Sequence, residues 1–145
     1  MTTEVAFHFN APDRLSYACR LLRKAYLKGA RVLVLVDDSE RAALDAALWT
    51  TMVGEFVPHS GPNDPPHVQA RSPIHLASDA AASNGASVLV NLRAEMPPGH
   101  ERFARVIEVV TNDEGDRGHA RERWKRYKAQ GIEPQRHDLK LAPQD

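Results

Sequence analysis

Four cations recur at helical spacing in the last third of the chain: Arg117, Arg121, Lys125 and Lys128. With 3.6 residues per turn, they fall within roughly 80° of one another on a helix, and Trp124 lies inside their stripe. Ala120 and Tyr127 flank Trp124 on the side that would turn inward. An indole framed by positive charge suits a ligand that carries both carboxylates and an apolar group. The same pattern is also typical of an amphipathic helix with a solvated basic face, and both interpretations stay open on these residues alone.

The turn after the first predicted strand, FNAPDR, has no phosphate-binding pattern. Neither G-x-G-x-x-G nor G-x-x-x-x-G-K-[ST] occurs there, so backbone amides are not arranged to close on a phosphate. Asp37 and Asp38, at the end of the second predicted strand, resemble the ribose-binding acid of dinucleotide folds. Without the glycine turn, helix capping is the better account of these two residues. No nucleotide cofactor is expected.

The residues that could support metal or nucleophilic chemistry are dispersed. The seven histidines form no i, i+4 helical pair and no cluster with cysteine, so no metal site is expected. Cys19 lies within the apolar pattern of a predicted helix, and no serine has G-x-S-x-G surroundings. Carboxylate pairs fall only at predicted turns and caps. The sequence therefore predicts a protein that is not an enzyme and needs no cofactor.

Composition narrows the class of protein further. The 145 residues carry a formal net charge of zero, so no global positive field favours nucleic-acid binding. The first ten residues lack the charged start and apolar core of a signal peptide, and no apolar run approaches membrane-spanning length. The single cysteine has no partner for an intrachain disulfide. These features predict a cytoplasmic protein without a membrane partner.

Predicted strands and helices alternate along the chain. Strands are expected at residues 5–9, 31–36, 55–57, 73–76, 88–92 and 105–110, and the main helices at 12–28, 40–49 and 113–130. The run RVLVLV at 31–36 shows no polar alternation, which is typical of a strand buried on both faces of a parallel sheet. The pattern predicts an α/β fold: an open, mostly parallel sheet with helices on both faces, Rossmann-like without a phosphate-binding loop.

The remaining segments define the domain. Residues 58–73 contain five prolines and are predicted to be a surface loop. Residues 79–85 are predicted to form a brief helix or turn, and 101–105 at most a short helical link. Residues 1–131 are expected to form a single α/β domain, and 132–145 a C-terminal tail that either adds an edge strand or stays loose.

Three segments together resemble one protein family. They are KGARVLVLVDDSERAALDAALWT at 28–50, FVPH at 56–59, and ARERWK at 120–125 with Tyr127, preceded by VIEVV at 106–110. In their order and spacing they are similar to the chi subunit of bacterial DNA polymerase III, an accessory protein of the clamp loader. The resemblance covers most of the chain, and residues 58–73 and the tail after Ile132 match least well.

The resemblance implies a non-catalytic replisome adaptor. Members of that family bind the acidic, phenylalanine-ended C-terminal tail of single-stranded DNA-binding protein. They also bind the psi subunit, which links them to the clamp loader. The chain is therefore expected to contact nucleic acid only indirectly, and its psi-like partner is not identified by the sequence.

The resemblance also implies roles for individual residues. Arg121 matches the arginine that holds the terminal carboxylate of the tail, and its planar fork suits that contact. Trp124 stands where relatives often have tyrosine, beside the pocket for the terminal phenyl ring. Val110 would form the apolar floor of that pocket. The flanking cations would attract the upstream aspartates: Arg117, Lys125 and, on the same stripe, Lys128.

Two further residues are associated with the second partner. Phe56 matches a position on the surface that the family uses for the psi subunit, and Trp49 lies close to it in sequence. Both side chains are also compatible with a place in the core.

A different function, direct binding of single-stranded nucleic acid by the basic and aromatic C-terminal helix, is the alternative hypothesis. Trp124 and Tyr127 would stack on bases while the arginines and lysines hold phosphates. The short cationic strip and the neutral chain favour a docked peptide instead.

Overall fold

The computed structural model describes residues 3–50, 58–79 and 85–139, which form one sheet of seven strands with flanking helices. The strands are β1 (Glu4–Ala11), β2 (Val32–Leu35), β3 (His59–Ser60), β4 (Ile74–Ala77), β5 (Val88–Asn91), β6 (Arg105–Thr111) and β7 (Gln135–Asp138). The helices are α1 (Arg14–Leu27), α2 (Asp38–Thr50), α3 (Pro66–Arg71) and α4 (Glu114–Ala129), with a 3₁₀ turn at His100–Arg102.

The sheet is open and parallel. Its strand order is β3-β4-β2-β5-β6-β1-β7, and every neighbouring pair runs in the same direction. Helices α1 and α2 supply core residues to one face of the sheet, and α4 supplies them to the other. The predicted α/β class, with helices on both faces, is confirmed.

The apolar runs form central strands because both of their faces are covered. Every residue of β2 is buried, and Val34 packs on the α1 and α2 side while its neighbour Leu33 packs on the α4 side. Successive side chains of a strand point to opposite faces, so a strand between two helical layers must be apolar at each position. The lack of polar alternation at 31–36 has this cause.

The helix ends follow local rules. Gly29 after α1 and Gly131 after α4 have φ angles of 78° and 82°, a left-handed conformation that costs glycine little. At the other end of α4, the Asp113 carboxylate accepts a hydrogen bond of 3.0 Å from the amide of Asp116. The predicted bounds of α1 and α4 are therefore close to the observed ones.

The prediction that residues 58–73 form a surface loop throughout was wrong. That segment contains β3 and α3, because Pro66 sits in the first helical turn, where a missing amide is tolerated. The short strand is fixed by a buried contact of 2.9 Å between the Ser60 hydroxyl and Nδ1 of His75 in β4. The strand predicted at 55–57, and most of the turn predicted at 79–85, lie outside the described residues.

The edge strand β7 joins the sheet beside β1. Its register pairs Phe7 with Arg136 and His8 with His137, so consecutive β7 residues face opposite sides of the sheet. Asn10, with a φ of 66°, lies where the register of β1 shifts, and its side-chain amide donates to Oδ1 of Asp138 at 2.8 Å. This contact attaches the end of β1 to the edge strand.

His8 makes folding dependent on pH. Its ring is buried in β1, with Nδ1 2.5 Å from the Tyr17 hydroxyl, and burial together with the nearby charges of His137, Arg105 and Lys24 lowers its pKa from 6.5 to about 4. The unfolded chain takes up this proton at higher pH than the folded protein does. The stability that neutral His8 contributes is therefore complete above pH 6.5 and lost as the pH falls towards 4.

We expect acidification across that window to lower the free energy of unfolding by up to about 3 kcal/mol through this histidine. Urea titrations at several pH values would measure the change. The variant His8→Gln, which cannot titrate, should show a flatter pH profile than the wild type. Identical slopes for the two proteins would contradict the assignment.

Candidate functional site

A cavity of about 380 Å³ lies between α4 and the strands β1, β6 and β7. Aromatic, aliphatic and cationic side chains line it: Phe7, Phe9, Val110, Arg117, Ala120, Arg121, Trp124, Lys125 and Arg136. Five of the six residues predicted for the tail site, all but Lys128, are therefore brought together around one opening. Residues distant in sequence, from β1 and β7, complete it.

The parallel sheet explains why these side chains converge. Phe7 and Phe9 are two residues apart on β1 and face the α4 side, and Arg136 is the register partner of Phe7. Val110 lies near the carboxyl end of β6, and the chain then turns into α4, which packs back across the same face. The part of α4 from Arg117 to Lys125 thus lines the cavity together with these three strands.

Aromatic contacts form the apolar wall of the cavity. The ring centroids of Phe7 and Trp124 are 5.1 Å apart and tilted by 57°. Phe7 also makes an edge-to-face contact with the buried Tyr127 at 5.9 Å. The Arg136 guanidinium lies 4.9 Å from the centre of the Phe9 ring, within the range of a cation–π contact. These rings offer a surface against which another aromatic group can pack.

The cations at the rim differ in their partners. Arg117 lies 3.7 Å from Glu114, and Lys125 lies 3.6 Å from Glu122, each one turn away on the exposed helix surface. Such pairs are weak and screened by solvent. Arg121 is exposed, and no carboxylate among the described residues pairs with it. Its guanidinium is therefore available to an incoming anion.

Lys128 occupies a different place from the one predicted. Its Nζ lies 3.7 Å from Oε1 of Glu133, beyond the end of α4. It is not among the described residues that line the cavity. Lys128 shares the angular stripe of Arg117, but it lies about one turn beyond Lys125, the last α4 residue that lines the cavity.

A buried charge cluster holds α4 on the sheet. Glu108 of β6 is fully buried. Its Oε1 accepts a hydrogen bond of 3.0 Å from Nε of Arg123 and one of 2.8 Å from the side-chain amide of Asn91. Its Oε2 accepts from the Tyr127 hydroxyl at 2.8 Å. Burial raises the pKa of Glu108, while the Arg123 charge and the three hydrogen bonds act in the opposite direction. The donors surround both oxygens, as an ionised carboxylate requires.

The amino-terminal end of α4 is attached separately. The Asp116 carboxylate accepts bonds from the amide and the hydroxyl of Thr111, at 2.7 and 3.0 Å, and lies 3.1 Å from Arg14 of α1. Burial raises the pKa of Asp116, but these hydrogen bonds and the arginine outweigh it, so that the pKa is lowered overall. Together with the Glu108 cluster, this anchor fixes both the position and the rotation of α4.

Several site residues were not found from the sequence. Phe7 and Phe9 were assigned to a strand, but their place beside α4 depends on strand order, which the sequence does not show. Arg123 follows Ala120 by three residues and precedes Tyr127 by four, so helical spacing places it on the buried face. That spacing, together with Glu108 inside the apolar run at 106–110, was the available signal for a buried ion pair.

Trp49, associated with the second partner, is a surface residue. It lies in the last turn of α2 and is 60% exposed as a residue, and its ring makes an edge-to-face contact with His59 at 5.7 Å. A core role for Trp49 is therefore excluded. Phe56 lies outside the described residues.

The crevice where this class of fold usually binds ligands is crossed by an arginine. Open α/β sheets bind ligands beyond the carboxyl ends of their strands. Here Arg93 follows β5 and donates to Asp37 after β2 at 2.9 Å, to the Ser78 carbonyl after β4 at 2.8 Å, and to Glu95 at 2.9 Å. Asp37 is thus engaged by an arginine of the same chain.

The described residues contain no group of three His, Cys, Asp or Glu side chains that could hold a metal ion. Within those ranges, no helix is long and apolar enough to cross a membrane.

Comparison with known proteins decides the family. The profile of the family described as DNA polymerase III chi subunit, HolC, matches residues 1–135. The chain belongs to this family. The resemblance inferred from the three sequence segments is confirmed, and membership gives the chain an accessory role in DNA replication as a subunit of DNA polymerase III.

Individual relatives support the same assignment. The DNA polymerase III subunit chi of Pseudomonas aeruginosa is 35% identical over 127 residues, which is 87% of each chain. The subunit chi of Escherichia coli is 29% identical over 116 residues, covering 79% of this chain and 78% of that one. The subunit chi of Haemophilus influenzae is also 29% identical over 116 residues, covering 79% of each.

Solved structures of proteins with little sequence similarity to this chain have a similar fold. The C-terminal domain of the S. cerevisiae protein Dbp5 has a TM-score of 0.61 at 13% identity and covers 94% of this chain and 90% of its own. Another structure of the C-terminal domain of the DEAD-box protein Dbp5 has a TM-score of 0.63 at 12% identity, covering 96% and 92%. Identity this low supports a common fold alone.

The Glu108–Arg123 pair generates a stability prediction. Arg123→Ala should lower the free energy of unfolding by about 3–5 kcal/mol, because it leaves a buried carboxylate without its counter-charge. Chemical denaturation would measure the loss.

Two variants control this test. Arg126→Ala removes an exposed cation from the same helix and should change stability by about 0.5 kcal/mol or less. The double variant Glu108→Gln/Arg123→Met, which removes both charges, should recover part of the loss. Equal effects of Arg123→Ala and Arg126→Ala would show that the buried pair does not hold the helix.

Proposed function

We propose that this chain is a non-catalytic adaptor whose α4 cavity binds the acidic, phenylalanine-ended C-terminal tail of single-stranded DNA-binding protein. A second surface around Trp49 binds a psi-like subunit of the clamp loader. The adaptor thereby couples the DNA polymerase III holoenzyme to template coated with that protein, in the cytoplasm.

One observation carries the tail site. Arg121 stands at the mouth of an apolar, aromatic cavity and has no carboxylate partner among the described residues. A peptide that ends in phenylalanine presents a terminal carboxylate directly beside an apolar ring. The arginine fork can meet that carboxylate with two hydrogen bonds while the ring enters the cavity.

The cavity wall suits a phenyl ring. Trp124 is half-buried and held against Phe7, so its exposed face is already oriented before a ligand arrives. Preorganised aromatic surfaces bind at a lower entropic cost than surfaces that must become ordered. Val110 and Ala120 close the apolar side of the cavity. Trp124 supplies a broader wall than tyrosine would, without a hydroxyl.

Acidic residues upstream of the terminal phenylalanine would lie against the remaining cations around the cavity. Arg117 and Lys125 on α4 and Arg136 on β7 surround the opening, and all three are exposed. Exposed charges of opposite sign attract each other, and added salt weakens this attraction by screening it. Their contribution lies in steering and orienting the acidic tail more than in total affinity.

The two proposed partner surfaces are far enough apart in the fold to work together. Trp49 belongs to α2, which packs with α1 on one face of the sheet, whereas the cavity lies beside α4 on the other. An exposed tryptophan is a common centre of binding energy in protein interfaces. Binding on opposite faces permits the chain to bridge two partners, which an adaptor requires.

Arg121→Ala should weaken binding of a synthetic acidic peptide ending in phenylalanine by about tenfold to a hundredfold. The loss of one charge-assisted contact to a carboxylate costs about 1.5–3 kcal/mol. Titration calorimetry would measure the affinity, and Trp124 fluorescence in a Trp49→Phe background would report directly on the cavity.

A double-mutant cycle makes this test specific. The same peptide with an amidated C-terminus lacks the terminal charge, so wild type should lose affinity for it while Arg121→Ala loses little more. Arg126→Ala, on the outer side of α4, is the matched control and should bind as wild type does. Additive losses from amidation and from Arg121→Ala would disprove the carboxylate contact.

Trp49→Ala should weaken association with the purified psi-like subunit of the same organism by roughly thirtyfold, equivalent to about 2 kcal/mol for an interface tryptophan. Calorimetry or analytical ultracentrifugation would measure it. Affinity for the tail peptide should stay at the wild-type value, because the cavity lies across the sheet. Unchanged association with the subunit would remove Trp49 from that interface.

A further inference from the structure

A second, more basic groove lies on the face of the sheet opposite the α4 cavity. It has a volume of about 520 Å³ and runs between α1 and the strands β1, β6 and β7. Five cations line it: Arg20, Arg23, Lys24, Lys28 and Arg105. Among the described lining residues Asp13 is the only acid, and its carboxylate accepts a hydrogen bond of 2.6 Å from Ser16. The chain is neutral overall, so this concentration of positive charge is local.

Three of these cations form a regular row. Arg20 and Lys24 on α1 and Lys28, which caps the carboxyl end of that helix, follow one another at intervals of four residues, and all three are exposed. At 1.5 Å of rise per residue, the row repeats about every 6 Å along the helix axis. A ligand whose negative charges repeat along an extended backbone can meet such a row with successive charges. Carboxylates on flexible side chains of a peptide have no comparable fixed repeat.

Aromatic rings lie at one side of the groove. The ring of His137 is exposed, and its centre is 4.8 Å from that of the buried His8, which in turn contacts the half-buried Tyr17. The 2.5 Å contact between His8 and the Tyr17 hydroxyl fixes this pair in place. The exposed His137 ring, supported from beneath by His8, is a platform on which a planar base can stack.

We propose that this groove binds single-stranded DNA, with successive phosphates on the α1 row and a base on the His137 ring. A positive groove that follows the backbone beside a stacking ring is the arrangement that non-sequence-specific single-strand binding uses. The site is independent of the α4 cavity, since the sheet separates them. It adds a direct contact with the template to the link that the tail peptide would make.

A pair of triple variants tests the site. The first, Arg20→Ala/Lys24→Ala/Lys28→Ala, removes the α1 row. The second, Arg117→Ala/Arg121→Ala/Lys125→Ala, removes an equal charge from the α4 cavity. Binding of a labelled oligothymidylate to the full chain is measured at low salt by fluorescence anisotropy, with circular dichroism as the check on folding.

The first variant should bind the oligonucleotide at least about tenfold more weakly than wild type, and the second should bind nearly as wild type does. For about three phosphates, the logarithm of the wild-type affinity should fall with the logarithm of salt concentration with a slope of roughly −2, and the first variant should flatten it. His137→Ala in the wild-type background should weaken binding without changing that slope.

Several outcomes would overturn the proposal. Equal losses in both variants would show a response to net charge alone, and loss confined to the second would place nucleic acid on α4. Duplex DNA bound as tightly as the single strand, or an acidic peptide bound in the groove in place of the oligonucleotide, would exclude a single-strand site. Tail-peptide affinity, measured in parallel, should fall only in the second variant, so failure of this site and failure of the α4 site are distinguishable.

Discussion

The buried contact between Glu108 and Arg123 fixes the orientation of the helix on which the candidate site depends. Glu108 has no exposed surface, and the hydroxyl of Tyr127 reaches its second oxygen from the same side of α4. A helix held by both contacts cannot rotate about its axis without leaving a charge buried and unpaired. Since Arg121 and Trp124 lie on the neighbouring stripe of α4, this constraint turns them towards β1 and β7. The buried contacts of α4 thus determine which of its side chains face the cavity.

The edge strand β7 contributes to two proposed binding surfaces on opposite faces of the sheet. Arg136 faces the α4 cavity and its neighbour His137 faces the basic groove beside α1, because consecutive residues of a strand point to opposite sides. Trp49, on α2, is a third surface feature. The sheet therefore separates the α4 cavity on one face from the basic groove and Trp49 on the other. The proposed adaptor needs such separation, since its partners must bind without excluding one another.

The fold is an open parallel α/β sheet, a class that often binds ligands beyond the carboxyl ends of its strands, but in this chain that crevice has no phosphate-binding loop and is crossed by an arginine. The first strand is followed by FNAPDR, which has no glycine turn, and Arg93 joins Asp37, Ser78 and Glu95 beyond the carboxyl ends of the strands. The likeness to the Dbp5 domain extends to the path of the chain alone. In this family member, the surfaces that carry the proposed function lie along the helices and the sheet edge.

The sequence by itself determined most of the helices and strands of the chain and the chemical character of α4. Helical periodicity, capping residues and the glycines that end helices all depend on residues close together in the sequence. It predicted the α/β class, the two helix ends at Gly29 and Gly131, and the stripe containing Arg121 and Trp124. It missed β3 and α3 in a proline-rich segment, and it grouped Lys128 with cavity residues that lie about one to three turns earlier on α4. Only the tertiary structure decided that Phe7, Phe9 and Arg136 complete the cavity and that Glu108 meets Arg123. Those contacts join residues far apart in the chain, so they depend on strand order and register, which no local pattern specifies.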